Sequence, residues 1–291
     1  MARPRIPRLM LVTDARRTRR ALRDLVVEAA AGGVDAVYLR DVELPDRDLA
    51  RLVHDLRERI DDGVSLLVNG GPEAARKSGT GLHLRERDAT PVAARAVLGS
   101  GVLIGRSVHS PKGALAAIGA DYVLAGHVYP SASKPGLPPL GRAGLTAIAA
   151  VAPCPVIAIG GIAPDRVAEV VQAGADGIAV IGAIVAVDDP RSAAAALRAA
   201  LDRALHRQVR DKEHPMDDGT SIAATIEIIV NGKSASVPAE ATVHDLLAGK
   251  RMNDAMAIVE RNGEIVPRAR YGDTPLETGD RLEVVHAVGG G

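Results

Sequence analysis

Short apolar runs alternate with longer amphipathic segments along the first two hundred residues. The runs are Leu9–Thr13, Ala36–Arg40, Ser65–Asn69, Gly81–Leu84, Val102–Ser107, Tyr122–Gly126, Val156–Gly160 and Gly177–Ile181. The segments between and after them are Arg19–Ala31, Asp46–Ile60, Glu73–Ser78, Pro91–Leu98, Pro111–Gly119, Gly144–Ala150, Ala163–Ala173 and Pro190–Leu205. Several of these open on Asp or Pro and stop at Gly, as helices do. Eight strands alternating with eight helices predict a closed (β/α)₈ barrel rather than an open doubly wound sheet, which usually has fewer strands.

The pattern changes near the end of the barrel. Residues 208–224 are charged, carry Pro and Gly, and lack apolar periodicity, so they read as a linker between a barrel domain over 1–207 and a tail domain over 225–291. In the tail, Thr225–Val230 alternates and Asn231-Gly232 turns it into Lys233–Val237. Thr242 caps a helix, Met256–Glu260 is a strand, Asn262-Gly263 is a second tight turn, and Arg281–Val288 closes the pattern. This order predicts a β-grasp, ubiquitin-like domain.

In a (β/α)₈ barrel functional groups gather at the C-terminal ends of the strands. Those ends here read Thr13-Asp14, Arg40-Asp41, Asn69-Gly70, His83-Leu84, Ser107, His127, Gly160-Gly161 and Ile181-Gly182. Gly160, Gly161, Ile181 and Gly182, on adjacent strand ends, predict backbone N–H groups turned toward a phosphate. The stretch Leu124 to Tyr129 delivers His127 at the end of an apolar run, and a Pro/Gly/Ser loop from Pro130 to Gly141 roofs it. An accessible, partly desolvated imidazole there suits proton transfer near neutral pH. His83 and His109 read as structural.

Composition narrows the function. Thirty-six basic and 36 acidic residues cancel, and four tyrosines are the only aromatic side chains. Neither a field nor a stacking platform for nucleic acid is present, and no run is long enough to span a membrane. A single cysteine, Cys154, excludes an internal disulfide and reads as a packed residue. The start lacks a secretion signal, which predicts a cytoplasmic protein.

The runs Leu11-Val12-Thr13-Asp14, Tyr38-Leu39-Arg40-Asp41, Leu67-Val68-Asn69, His83-Leu84, Ile104 to His109 and Ala158 to Ile162 together resemble the thiamin phosphate synthase superfamily. Two branches share this barrel. The synthase joins a pyrimidine diphosphate to a thiazole phosphate with magnesium, whereas the TenI thiazole tautomerase aromatises the thiazole phosphate. The synthase pattern Gln-Leu-Arg-Glu-Lys reads Tyr38-Leu39-Arg40-Asp41-Val42 here, and its Asn-Asp reads Asn69-Gly70. Asp88 is left as the one match to a magnesium ligand. Gly126-His127-Val128-Tyr129 is similar to the tautomerase signature.

The resemblance therefore implies an isomerase, with His127 as base and acid and no metal. Gly160, Gly161, Ile181 and Gly182 would seat the phosphate, and Arg40, Lys134, Ser107 and Asn69 would contact the substrate carboxylate or other groups. A magnesium-dependent synthase and a non-catalytic docking scaffold are the alternatives.

Asn262 to Arg268 and Val285 to Gly291 resemble the sulfur carrier ThiS. That resemblance implies a thiocarboxylate on Gly291, reached through Gly290. It would be formed with ATP by a ThiF-type adenylating enzyme and delivered to thiazole synthase. Homo-oligomerisation stays open.

Overall fold

The computed structural model describes residues 4–14, 16–18, 20–40, 44–69, 71–213, 225–250 and 257–286. The chain divides into two compact units, Met1–Pro215 and Met216–Gly291.

In the first unit eight parallel strands close into a barrel in sequence order. They are β1 (Leu9–Val12), β2 (Ala36–Leu39), β3 (Ser65–Val68), β4 (Gly81–Leu84), β5 (Ile104–Val108), β6 (Tyr122–Gly126), β7 (Val156–Ile159) and β8 (Gly177–Val180). Side chains alternate across each strand. Met10, Val12, Tyr38, Leu67, Tyr122, Leu124 and Ile157 fill the interior, while Leu9, Leu11, Val37, Leu39 and their neighbours pack under the helices. Two of the four tyrosines thus occupy the place that a phenylalanine-free chain must fill otherwise.

The helices follow the expected segments with local differences. After β7 the chain makes a 3₁₀ turn, Pro164–Arg166, before the α-helix Val167–Gln172. A four-residue helix, Gly182–Val185, follows β8 directly. The last barrel helix runs over Pro190–Glu213, well into the stretch expected as linker. Its Ala, Leu, Arg and Glu content favours helix, and charge alone does not end one. Residues 214–224, the remainder of that linker, lie outside the described residues.

The second unit is a five-stranded sheet in the order β10-β9-β13-β11-β12. Its strands are β9 (Thr225–Val230), β10 (Lys233–Pro238), β11 (Ala257–Arg261), β12 (Glu264–Val266) and β13 (Arg281–His286). β12, too short for the alternation to reveal, pairs with β11 across the Asn262-Gly263 turn. The helix Val243–Gly249 carries a capping box between Thr242 and Asp245. Its Val243, Leu246 and Leu247 pack against Ile228, Val259 and Leu282 of the sheet. The closing β9/β13 pair is parallel and the hairpins antiparallel, which is the β-grasp arrangement. Among the described residues no helix is long and apolar enough to cross a membrane.

Candidate functional site

A cavity of about 950 Å³ opens where the barrel strands end. Because all eight strands are parallel, the loops that follow them share this one face. Arg40, Asn69, Ser107, His127, Lys134, Gly160, Gly161, Ile181 and Gly182, the barrel residues singled out in the sequence, all line it. Gly290 and Gly291 lie outside the described residues.

Glycine is required at the β7 end. Gly160 and Gly161 have φ of +106° and +65°, a left-handed pair that favours residues without a Cβ. A Cβ on Gly160 would stand 2.4 Å from His127 Cβ, and one on Gly161 would stand 2.6 Å from the Pro130 carbonyl oxygen. The Gly161 carbonyl accepts a 2.8 Å bond from Arg166 Nη1, whose guanidinium also lies 4.8 Å from the centre of the Tyr129 ring. This fixes the turn beside the cavity that both glycines line.

The loop after β6 folds back on itself, its return held by Leu140 N–H to the His127 carbonyl and Gly141 N–H to the Val128 carbonyl. His127 is less open than its sequence setting implied. It is 8% exposed, and its Nε2 donates to the Leu137 carbonyl at 3.2 Å. That bond commits one ring nitrogen to the loop.

The cavity wall is strongly cationic. Arg16, Arg17, Arg40, Arg85, Arg87 and Lys134 line it, with Glu86 as the one carboxylate among the lining residues. Of these, only Arg40 and Lys134 stand out in the sequence. The other four sit in the loops after β1 and β4, and the strand-end rule extended by a few residues would have found them. Arg106 steadies the second loop from beneath, its guanidinium donating to the carbonyls of Glu86 at 2.7 Å and Ala89 at 3.2 Å. Lys134 Nζ donates to His109 Nε2 at 3.1 Å, and His109 Nδ1 in turn donates to Glu86 at 2.8 Å. His109 is thereby a bridge that orients Lys134.

Magnesium, which the synthase resemblance implies, can be tested against the carboxylates. Asp88 accepts the Arg85 N–H at 2.8 Å and its Nε at 3.1 Å. Asp14 accepts the Arg16 N–H and faces Arg17 and Arg40. Glu86 is taken by His109. Among the described residues no three His, Cys, Asp or Glu side chains converge. Gly70, Asp41 and Val42 lie outside the described residues. Magnesium is usually held by one or two carboxylates together with substrate phosphates and waters, and each of these three carboxylates is already paired with a cationic or imidazole side chain. In this pairing none of the three is left open to the ion.

Comparison with known proteins adds the family. Residues 9–184 match the family described as thiamine monophosphate synthase, and residues 222–291 match the ThiS family. A thiamine-phosphate synthase of Haloquadratum walsbyi is 38% identical over 71% of this chain and 96% of its own length. One of Mycobacterium bovis is 40% identical over 68% of this chain and 96% of its own. The structure of a thiamine phosphate pyrophosphorylase from Pyrococcus furiosus is 32% identical, with a TM-score of 0.61 over 68% of this chain and 96% of that one.

These relatives overturn the isomerase expectation. They are named as synthases, a transferase activity, and they match along nearly their whole length. The expectation rested on one histidine and three substituted positions. The histidine has one ring nitrogen occupied by the Leu137 carbonyl. By its barrel the chain belongs to the thiamine monophosphate synthase family, and it carries a ThiS domain after that barrel.

Proposed function

We propose that the barrel is a transferase that joins a pyrimidine diphosphate to a thiazole phosphate and releases diphosphate. The observation that carries this reading is the cationic wall: six cationic side chains face one cavity against Glu86 at its surface and Asp14 beneath. A diphosphate and a phosphate monoester together bring about four to five negative charges near neutral pH. Gly160, Gly161 and Gly182 suit the phosphate of one substrate, because backbone N–H groups hold an anion without a competing side chain. Arg16, Arg17, Arg40 and Lys134 suit the diphosphate, whose departure builds charge that fixed guanidinium groups stabilise. No step is assigned to a metal ion.

For the tail we propose sulfur carriage as a thiocarboxylate on Gly291, formed by an ATP-using ThiF-type adenylating enzyme and passed to thiazole synthase. The ThiS match over 222–291 and the β-grasp sheet support it. Joining the two units would raise the effective concentration of the barrel near newly made thiazole.

The barrel reading is tested by incubating the full chain with the two substrates and following the coupled product and diphosphate together. One diphosphate released per product formed is the expected result, and absence of both would overturn it. For the tail, mass spectrometry after incubation with the adenylating enzyme and a sulfur source should show oxygen exchanged for sulfur at the C-terminal carboxylate.

A further inference from the structure

At one level of the barrel His83 on β4, Gly105 on β5 and Tyr122 on β6 stand side by side in register. A Cβ on Gly105 would lie 2.0 Å from Tyr122 Cζ and 2.3 Å from its hydroxyl. The missing side chain is the space in which His83 and Tyr122 meet across β5. The Tyr122 hydroxyl lies 2.9 Å from His83 Nδ1. Ser107, two residues along β5 and so on the same face, completes the row with its Oγ 2.9 Å from His83 Nε2. His83 and Tyr122 are 0% exposed, whereas Ser107 lines the cavity.

The protons in this row can be placed. Burial raises the Tyr122 pKa well above the ordinary phenol value, so the hydroxyl keeps its hydrogen. Burial lowers His83 to about 3, so the imidazole is neutral, with one N–H and one lone pair. The sole hydrogen-bond partner of the Tyr122 hydroxyl among the described residues is His83 Nδ1. A buried O–H without an acceptor loses about ten- to a hundredfold in stability, so Tyr122 donates and Nδ1 accepts. The ring hydrogen must then sit on Nε2, where it is donated to Ser107 Oγ. The opposite tautomer would leave the Tyr122 hydrogen stranded in an apolar interior. Ser107 therefore accepts from below, and its own hydrogen is directed to the cavity.

We infer that Tyr122 and His83 are positioning residues that make Ser107 a dedicated hydrogen-bond donor to an anionic phosphate or diphosphate oxygen of the ligand. The inference rests on the transferase reading for the nature of that anion and adds the device that presents the donor. It also removes Ser107 as a nucleophile, since a neutral imidazole already donating through Nε2 has no lone pair facing the serine proton.

Nitrogen-15 histidine spectra of the full chain test the proton placement. His83, assigned by its disappearance in His83→Gln, should show the Nε2–H tautomer throughout about pH 5 to 8. Calorimetry with inorganic pyrophosphate tests the donor. Ser107→Ala should bind about ten- to a hundredfold more weakly, and Ser107→Thr, which keeps the hydroxyl, should recover most of the loss. Tyr122→Phe should populate both tautomers and weaken binding part of the way. An Nδ1–H tautomer in a protein that binds pyrophosphate sinks the inference alone, as does undiminished binding by Ser107→Ala. No pyrophosphate binding by the unaltered chain sinks the transferase reading and the ligand assigned here together.

Discussion

Asp14 at the end of β1 holds Arg40 at the end of β2, carboxylate to Nη2 at 3.5 Å. The neighbouring Thr13 hydroxyl accepts the Arg40 N–H at 3.1 Å, so both ends of the residue are fixed by the adjacent strand. The same carboxylate lies 3.8 Å from Arg17 Nε. One carboxylate under two guanidinium groups orients them along the cavity wall. Arg40 is thus both paired with a carboxylate and part of the cavity lining.

A binding role for Arg40 predicts that Arg40→Ala weakens pyrophosphate binding about ten- to a hundredfold, with the fold unchanged by circular dichroism. Arg40→Lys should recover only part of the loss, because an ammonium lacks the planar fork. Unchanged affinity in Arg40→Ala, measured by calorimetry, would leave Arg40 a structural role only.

The gap over Gly105 makes a second prediction. Gly105→Ala pushes a methyl group into the Tyr122 ring, flanked by His83 in a filled barrel. Overpacking of this kind costs about 1–3 kcal/mol, and a backbone fixed by strand pairing on both sides has little room to relax. Denaturant unfolding should show that loss in the barrel transition. A Gly105→Ala barrel as stable as the parent would mean the ring row is loosely packed.

The fold was legible because its signals are local: short apolar runs, Pro and Gly at helix ends, and Asn-Gly turns in the tail. The cavity residues were legible for a topological reason, since parallel strands put all their C-terminal ends on one face. Arg16, Arg17, Arg85 and Arg87 escaped because loops have no periodicity to give a direction. Arg17 reaches to 3.5 Å from Ser133 Oγ, across 116 residues of chain, and no local pattern encodes such a meeting. The choice of reaction escaped for a different reason. A single imidazole at a strand end looks the same in sequence whether its ring nitrogens are open to substrate or, as at His127, one is already spent on a loop carbonyl.

If guanidinium groups rather than a divalent ion carry the diphosphate charge, removing metal should matter little. Pyrophosphate affinity in excess chelator should stay within about threefold of that with magnesium, and should fall as ionic strength rises. Binding that appears only when magnesium is added would return the charge to a metal.

The tail unit makes its own prediction about acid. Asp280 is 5% exposed, and its carboxylate accepts from Arg261 Nε at 2.7 Å, Asn262 Nδ2 at 2.7 Å and the Glu277 N–H at 2.8 Å. Burial opposes the charged form, but these bonds together with the Arg261 charge outweigh it and hold the Asp280 pKa below the ordinary carboxylate value. A carboxyl whose folded pKa lies below its unfolded one stabilises the fold above the unfolded value, about 3.9, and that contribution is lost as pH falls toward the folded value. Tail unfolding should therefore become steeply pH-dependent below about pH 4. Asp280→Asn should lose about 1.5–3 kcal/mol at neutral pH, the worth of hydrogen bonds to a charged group, and should flatten that acid slope. Thermal unfolding across the acid range reads both effects. A variant as stable as the parent at neutral pH, with the same acid slope, would show that Asp280 does not anchor the turn that brings β13 beside β9 and β11.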